Sequence, residues 1–158
     1  MAVKFTEKWN QYGLIAELAV RLKGVSPQFG KTVLQKLVYI LQEVFQVPVG
    51  YDYILYNYGP YCAELADDLM FFASLDGVKV EWSDGLGFEI REASKTGHFR
   101  KRAEAFLKRY EAQISKAINN FGHMNARELE LYSTIIYVAK EGPLTKDELI
   151  KRVSEIKP

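Results

Sequence analysis

Cys62 is the side chain whose type and setting come closest to those of a nucleophile. It follows Gly59-Pro60, a pair that predicts the start of a helix, and the partial positive charge at a helix N-terminus favours a thiolate. No basic partner is near it in the sequence, and the carboxylates of Glu64, Asp67 and Asp68 would oppose a thiolate. We therefore expect Cys62 to be a small, inert packing residue and not a catalytic one.

The sequence also contains no motif that is typical of a metal or cofactor site. The two histidines, His98 and His123, and one cysteine fall short of the roughly four ligands of a structural zinc site. Residues 84–87 are rich in glycine, but they join two predicted strands and open no helix that could receive a phosphate. We expect no metal, no cofactor and no enzymatic activity.

Three carboxylates, those of Glu64, Asp67 and Asp68, share one face of a predicted helix because they are three and four residues apart. One interpretation is that they supply favourable negative charge near a helix N-terminus. The other is that they form an acidic docking patch or a cation site. Such a face would in either case be repelled by DNA phosphates.

Basic residues are concentrated between positions 95 and 116. This segment is either an electrostatic footprint for nucleic acid or an acidic partner, or a solvated helix face with Arg100–Glu104 and Lys108–Glu111 as local pairs. The basic residues are Lys95, Arg100, Lys101, Arg102, Lys108, Arg109 and Lys116.

Tyrosines are concentrated between positions 51 and 61, within a predicted strand and just after it. Alternation along a strand directs Tyr51 and Tyr53 to one side and Tyr56 and Tyr58 to the other. Either one face is exposed and binds a protein partner, or the strand is half-buried and its hydroxyls reach water. The candidate partner-binding residues are Tyr51, Tyr53, Tyr56, Tyr58 and Tyr61.

Apolar periodicity predicts the elements that position these side chains. We expect a mainly helical α+β fold with six helices and a β-hairpin formed by residues 78–82 and 88–91. The Tyr51–Tyr58 strand either joins this hairpin in a three-stranded sheet or stays apart, and the arrangement is partly winged-helix-like. The six helices are expected up to residue 24 and at about 31–47, 60–76, 98–119, 126–141 and 145–156.

The bulk properties are those of a single globular domain of 158 residues, with 48% apolar residues and a net charge of +1. We divide it into a core at 1–93, which includes the hairpin, and a helical extension at 94–158. One cysteine allows no internal disulfide, and no apolar run reaches the roughly 18–20 residues that a bilayer requires. These features predict a cytoplasmic protein.

Three groups of residues follow one another along the chain: Lys31, Leu34, Gln35, Lys36 and Tyr39, then Tyr58, Gly59, Pro60 and Tyr61, and finally Glu64 and Leu65. This succession resembles the YwgA-like proteins and the related Panacea (SocA-like) domain. The resemblance covers about residues 30–91 and implies a helical domain with a small β-hairpin, no known catalysis, and antitoxin-type contacts with protein partners.

Within this motif, Gln35 and Tyr39 lie four residues apart on one helix face, and Lys36 lies on another side. We expect the polar ends of Gln35 and Tyr39 to hold backbone groups of the Tyr-Gly-Pro turn.

Two functions remain open. The first is a non-enzymatic protein-binding module with an antitoxin-like or adaptor role. The alternative is a nucleic-acid-binding regulator that uses the basic helix at 100–116. Against the alternative, the strand between helices two and three departs from the short turn of a helix-turn-helix, and the hairpin tip carries Asp84 and no basic residue.

Overall fold

Helices make up most of the fold, and two short hairpins of antiparallel strands are inserted between them. The computed structural model describes residues 2–57 and 59–156, with side chains from residue 8 onward. The predicted mainly helical α+β class is confirmed. The elements are α1 (Ala2–Arg21), α2 (Lys31–Glu43), β1 (Ile54–Tyr56), β2 (Gly59–Tyr61), α3 (Ala63–Ser74), β3 (Val78–Ser83), β4 (Gly87–Glu92), α4 (Thr96–Arg102), α5 (Glu104–Arg109), α6 (Glu111–Phe121), α7 (Ala126–Ala139) and α8 (Lys146–Ile156).

Helix α2 lies at the centre of the fold. Every residue from Val33 to Leu41 is buried, as the wide apolar stripe of this helix predicts. Helices α6 and α7 pack on α2, and α4 and α5 pack on α1. One continuous cluster of buried side chains runs from Tyr12 in α1 to Leu129 in α7. No helix in the described part of the chain combines the length and hydropathy needed to cross a bilayer.

The prediction of six helices is too low, because the helix expected at about 98–119 is three helices. The chain turns at Ala103 (φ −101°, ψ 15°) and at Tyr110 (φ −107°, ψ 19°). Neither position is a glycine or a proline, so no local signal marks the breaks. They bend the chain so that α4 and α5 stay on α1 while α6 reaches α2, which one straight helix could not do.

The Tyr51–Tyr58 strand is also shorter than predicted. Of its described residues, Ile54–Tyr56 form a strand, which pairs with Gly59–Tyr61 in a separate two-stranded sheet. The third helix therefore begins at Ala63 and not at Pro60, and the described residues form two two-stranded sheets in place of one three-stranded sheet. The predicted hairpin is present as β3 and β4, with Trp82 opposite Phe88 beside the turn.

Candidate interaction surface

Two glutamines of α2 hold the ends of the segment that carries the tyrosines. Gln35 Nε2 donates to the carbonyl oxygen of Cys62 at 2.8 Å, and Gln35 Oε1 accepts from the Cys62 N–H at 2.9 Å. Gln42 makes the same pair of bonds with Tyr51, at 3.0 and 2.9 Å. Because the two glutamines are seven residues apart, they share one helix face. We call these four bonds the glutamine clasp.

Lys36 and Tyr39 have roles that differ from those expected from the sequence. Lys36, expected on another side of the helix, reaches the turn: its Nζ donates to the Pro60 carbonyl at 2.7 Å, and the residue is only 2% exposed. The ring of Tyr39 instead packs 5.0 Å from the ring of Tyr53. The Tyr53 hydroxyl donates to the Gln35 carbonyl at 2.9 Å, and burial raises its pKa well above the usual value. These contacts make the motif a scaffold for the tyrosine segment.

The carboxylates of α3 are largely tied to α1. Lys8 Nζ lies 2.9 Å from Glu64 and 2.6 Å from Asp68, and the Tyr51 hydroxyl donates to Asp68 at 2.7 Å. Burial raises the pKa of Tyr51, and the bond to Asp68 raises it further. Burial lowers the pKa of Lys8, but its hydrogen bonds to the two carboxylates outweigh this and leave the pKa raised. The cluster therefore joins two helices, and Asp67 alone of the three carboxylates stays outside it.

Cys62 is the N-cap residue of α3 and is buried. Burial raises the pKa of its thiol, against the opposing effect of the backbone N–H groups of Leu65 and Glu64. The thiol is therefore protonated near neutral pH and is poorly suited to nucleophilic attack. His98 and His123 are exposed, and no group of three His, Cys, Asp or Glu among the described residues could hold a metal ion.

The basic segment is divided among three helices and pairs differently from the prediction. Arg100 pairs with Glu17 of α1 at 2.8 Å, not with Glu104. Lys108 pairs with Glu104 at 2.7 Å, not with Glu111. These pairs place the carboxylates of Glu17 and Glu104 beside two of the basic side chains.

Other basic side chains of the segment contact aromatic rings or solvent. The guanidinium of Arg102 lies 4.1 Å from the centre of the Trp9 ring, and that of Arg109 lies 5.6 Å from the Tyr110 ring. Arg100 is half-buried, and all other members of the segment are exposed: Lys95, Lys101, Arg102, Lys108, Arg109 and Lys116.

The tyrosines divide between core and surface. Tyr51 is buried in the core. Tyr53 is half-buried, and it is held on α2 by ring packing on Tyr39 and by its hydroxyl bond to the Gln35 carbonyl, so we assign it to the scaffold. Tyr56 is 58% exposed, and Tyr61 is half-buried with its ring 5.8 Å from that of Tyr56. Tyr58 lies outside the described residues. Among the described tyrosines, the candidate partner-binding set is thereby reduced to Tyr56 and Tyr61.

Two apolar side chains extend this exposed pair. Ile54 is 59% exposed and lies directly opposite Tyr61 in the β1–β2 hairpin, so both are on one face of it. Exposed Met70 of α3 lines the same surface cavity as Tyr61. We call Ile54, Tyr56, Tyr61 and Met70 the tyrosine strip.

A groove adjoins this strip at the tip of the β3–β4 hairpin. Residues 27–28 and 30–33, the hairpin tip and the start of α7 at 125–127 line a volume of about 560 Å³. Val78 and Ile90 bury one face of the hairpin against the core, and Trp82 and Phe88 continue that face beyond it. Lys31 lines both this hairpin groove and the cavity beside the strip.

Sequence reasoning missed Gln42, Trp82, Phe88 and Arg127. A signal existed for three of them. Gln42 repeats Gln35 seven residues later, and Trp82 and Phe88 continue an alternating apolar face up to a turn. Arg127 had no signal, because only the packing of α7 brings it to the groove.

A scan against protein-family models matched none of them, and a search of the curated proteins returned no match.

Proposed function

We propose that this chain is a non-enzymatic protein-binding module and that the tyrosine strip is part of its contact surface. The observation that carries the proposal is an exposed run of Ile54, Tyr56 and Met70 around the half-buried Tyr61. Aromatic residues and Met are enriched in protein–protein interfaces, where exposed apolar side chains become buried.

The surroundings of the strip support the same proposal. Asp67, Lys31 and Lys36 line the cavity that Tyr61 and Met70 share, so charged residues stand beside an apolar centre. The glutamine clasp fixes both ends of the tyrosine segment, which reduces the entropy lost on binding. The proposal includes an antitoxin-like or adaptor role and kinship with the YwgA-like and Panacea proteins, both of which rest on the resemblance. It also assigns the module to the cytosol, in keeping with one free thiol, Cys62.

The test compares proteins captured from the native host by three tagged forms of the chain. These are the wild type, the double variant Ile54→Ser with Tyr56→Ser, and the control Ile150→Ser, which changes a 54% exposed apolar residue on α8. We expect one protein at a stoichiometric amount with the wild type and the control, and its loss with the double variant. Capture of nothing specific, or equal capture by all three forms, would refute the proposal.

Nucleic acid is quantified in the same samples. The alternative, a nucleic-acid-binding regulator, would use Arg100, Lys101, Arg102, Lys108, Arg109 and Lys116. It has less support because Glu17 and Glu104 pair with Arg100 and Lys108. Nucleic acid that co-purifies and is lost at high salt would favour the alternative.

A further inference from the structure

We propose that the hairpin groove binds an extended peptide that carries an aromatic or large aliphatic side chain next to an acidic residue. This inference rests on the proposed function and names the chemistry of one partner segment.

The apolar part of the peptide is matched by the hairpin tip. Trp82 and Leu86 are each 63% exposed, and the ring of Phe88 lies 4.9 Å from that of Trp82 in an edge-to-face pair. Because these rings continue the core-facing side of the hairpin past the end of the core, an inserted side chain would meet an apolar surface that α2 and α7 do not cover. One aromatic or leucine side chain would bury this surface.

The acidic part is matched by two basic side chains. Lys31 and Arg127 line the groove, and its lining includes no Asp or Glu. Within the described residues neither of them has an ion-pair partner, and the Lys31 ammonium sits 3.8 Å from the centre of the Phe88 ring. A carboxylate beside an apolar anchor would therefore meet positive charge next to the aromatic pair.

The groove is preformed. Gln28 Nε2 donates to the carbonyl oxygens of Leu86 and Phe88, the latter at 3.0 Å, and the Ile90 N–H donates to Phe29 at 2.7 Å. At Gly30 a Cβ atom would lie 2.6 Å from the Phe88 carbonyl oxygen, so only glycine allows this approach of hairpin and α2. A fixed groove loses little entropy when a ligand binds.

The groove favours a peptide over single-stranded nucleic acid. A nucleic-acid groove has a series of cations that follows the phosphates, and this one has two. The Trp82 indole N–H donates to Asp84 at 3.3 Å, so a carboxylate that would repel phosphates lies beside the aromatic pair.

Trp82 reports binding directly, since the chain has two tryptophans and the other, the half-buried Trp9 on α1, stacks on Phe99 and does not line the groove. We would titrate the full chain with capped heptapeptides that have a central Phe or Leu flanked by Asp and Glu. Matched peptides would carry Asn and Gln or Lys instead, and an oligothymidylate would serve as the nucleic-acid probe. The expected result is a blue shift of the Trp82 emission with the acidic peptides alone, absent in Trp82→Phe.

Two charge variants and a control complete the design. Lys31→Gln and Arg127→Gln should each weaken the acidic peptide about tenfold or more, because each removes a charge-assisted contact. Lys101→Gln, which changes an exposed lysine on α4, should leave the affinity unchanged.

Equal binding of the Asn and Gln peptides, or binding of oligothymidylate and of no acidic peptide, would overturn the inference. Host-protein capture that depends on the tyrosine strip without any peptide response would overturn this inference alone, and failure of both would overturn the proposed function as well.

Discussion

Replacement of Gln35 by alanine should be one of the costliest polar substitutions in this protein. Gln35 is buried, and its side chain satisfies both the N–H and the carbonyl of Cys62, which is buried as well. Alanine would leave the buried Cys62 N–H without a partner, at about 1–3 kcal/mol, and would leave the Cys62 carbonyl with the Ala66 N–H alone, at 3.3 Å, at about 1 kcal/mol for the lost bond. We expect a loss of about 2–4 kcal/mol in the free energy of unfolding, more than the roughly 1 kcal/mol of a single hydrogen bond.

The chain supplies its own control, because Gln42 makes the same two bonds to Tyr51 at a half-buried site. Water can replace the side chain there, so Gln42→Ala should cost about 1–2 kcal/mol. Urea denaturation measures both variants. With a slope of about 2 kcal/mol per molar urea, the midpoint for Gln35→Ala should fall by about 1 M or more at an unchanged slope.

A third variant, Gln35→Glu, separates hydrogen bonding from size. The carboxylate would lie against the Cys62 carbonyl oxygen in a buried site, which raises the folded-state pKa of the new Glu above its unfolded value of about 4.3. The folded form then holds its proton more tightly, so this variant should gain stability relative to the wild type as the pH falls from 7 towards 5. Equal costs for Gln35→Ala and Gln42→Ala would show that buried, unsatisfied groups do not control the stability of the clasp.

Three further predictions address other parts of the fold. Folding raises the pKa of Tyr51, so above about pH 10 this tyrosine ionises first in the unfolded chain, and the free energy of unfolding should fall there. Urea titrations at several pH values should show that Tyr51→Phe makes this fall shallower. Gly59→Ala should cost about 2–4 kcal/mol of stability, since Gly59 has φ +100° and a Cβ atom there would lie 2.6 Å from Thr134 Oγ1. Gly85→Ala is the control: Gly85 has φ +84° but open space around it, so this change should cost clearly less. Equal shifts of the melting temperature in the two variants would contradict this reasoning. Cys62 should react with a thiol reagent about a thousandfold more slowly in the native protein than in denaturant, and fast native labelling would contradict its burial.

The parts of the fold that follow from local pattern could be predicted. The hairpin at 78–92 was predicted from alternation, and the helix that begins after Asn125 from its capping box with Glu128, whose two reciprocal bonds are present. The breaks at Ala103 and Tyr110 could not be predicted, because they come from packing against α1 and α2 and not from helix propensity.

The candidate site was only partly predictable for a similar reason. The tyrosine cluster drew attention to the correct segment, but alternation assumes a long strand and β1 has three residues. Tyr51 therefore precedes the strand and turns into the core, where it bonds to Asp68. In the basic segment, the expected local pair Arg100–Glu104 was wrong, because Arg100 pairs with Glu17 of α1, which is 83 residues away in the sequence.

The distribution of burial separates the scaffold from the surface that would meet a partner. Most of the motif that carries the family resemblance is inside: Leu34, Gln35, Lys36, Tyr39, Gly59, Pro60 and Leu65 are buried. Of the residues proposed to contact partners, Lys31 and Tyr61 belong to the motif, whereas Ile54, Tyr56, Trp82 and Arg127 are exposed and lie outside it. A chain that keeps the motif would keep the Gln35 half of the glutamine clasp, while changes at the exposed positions would alter the surface that meets a partner. The motif thus accounts for how the surface is held, and the chemistry of the strip and the hairpin groove must account for what it binds.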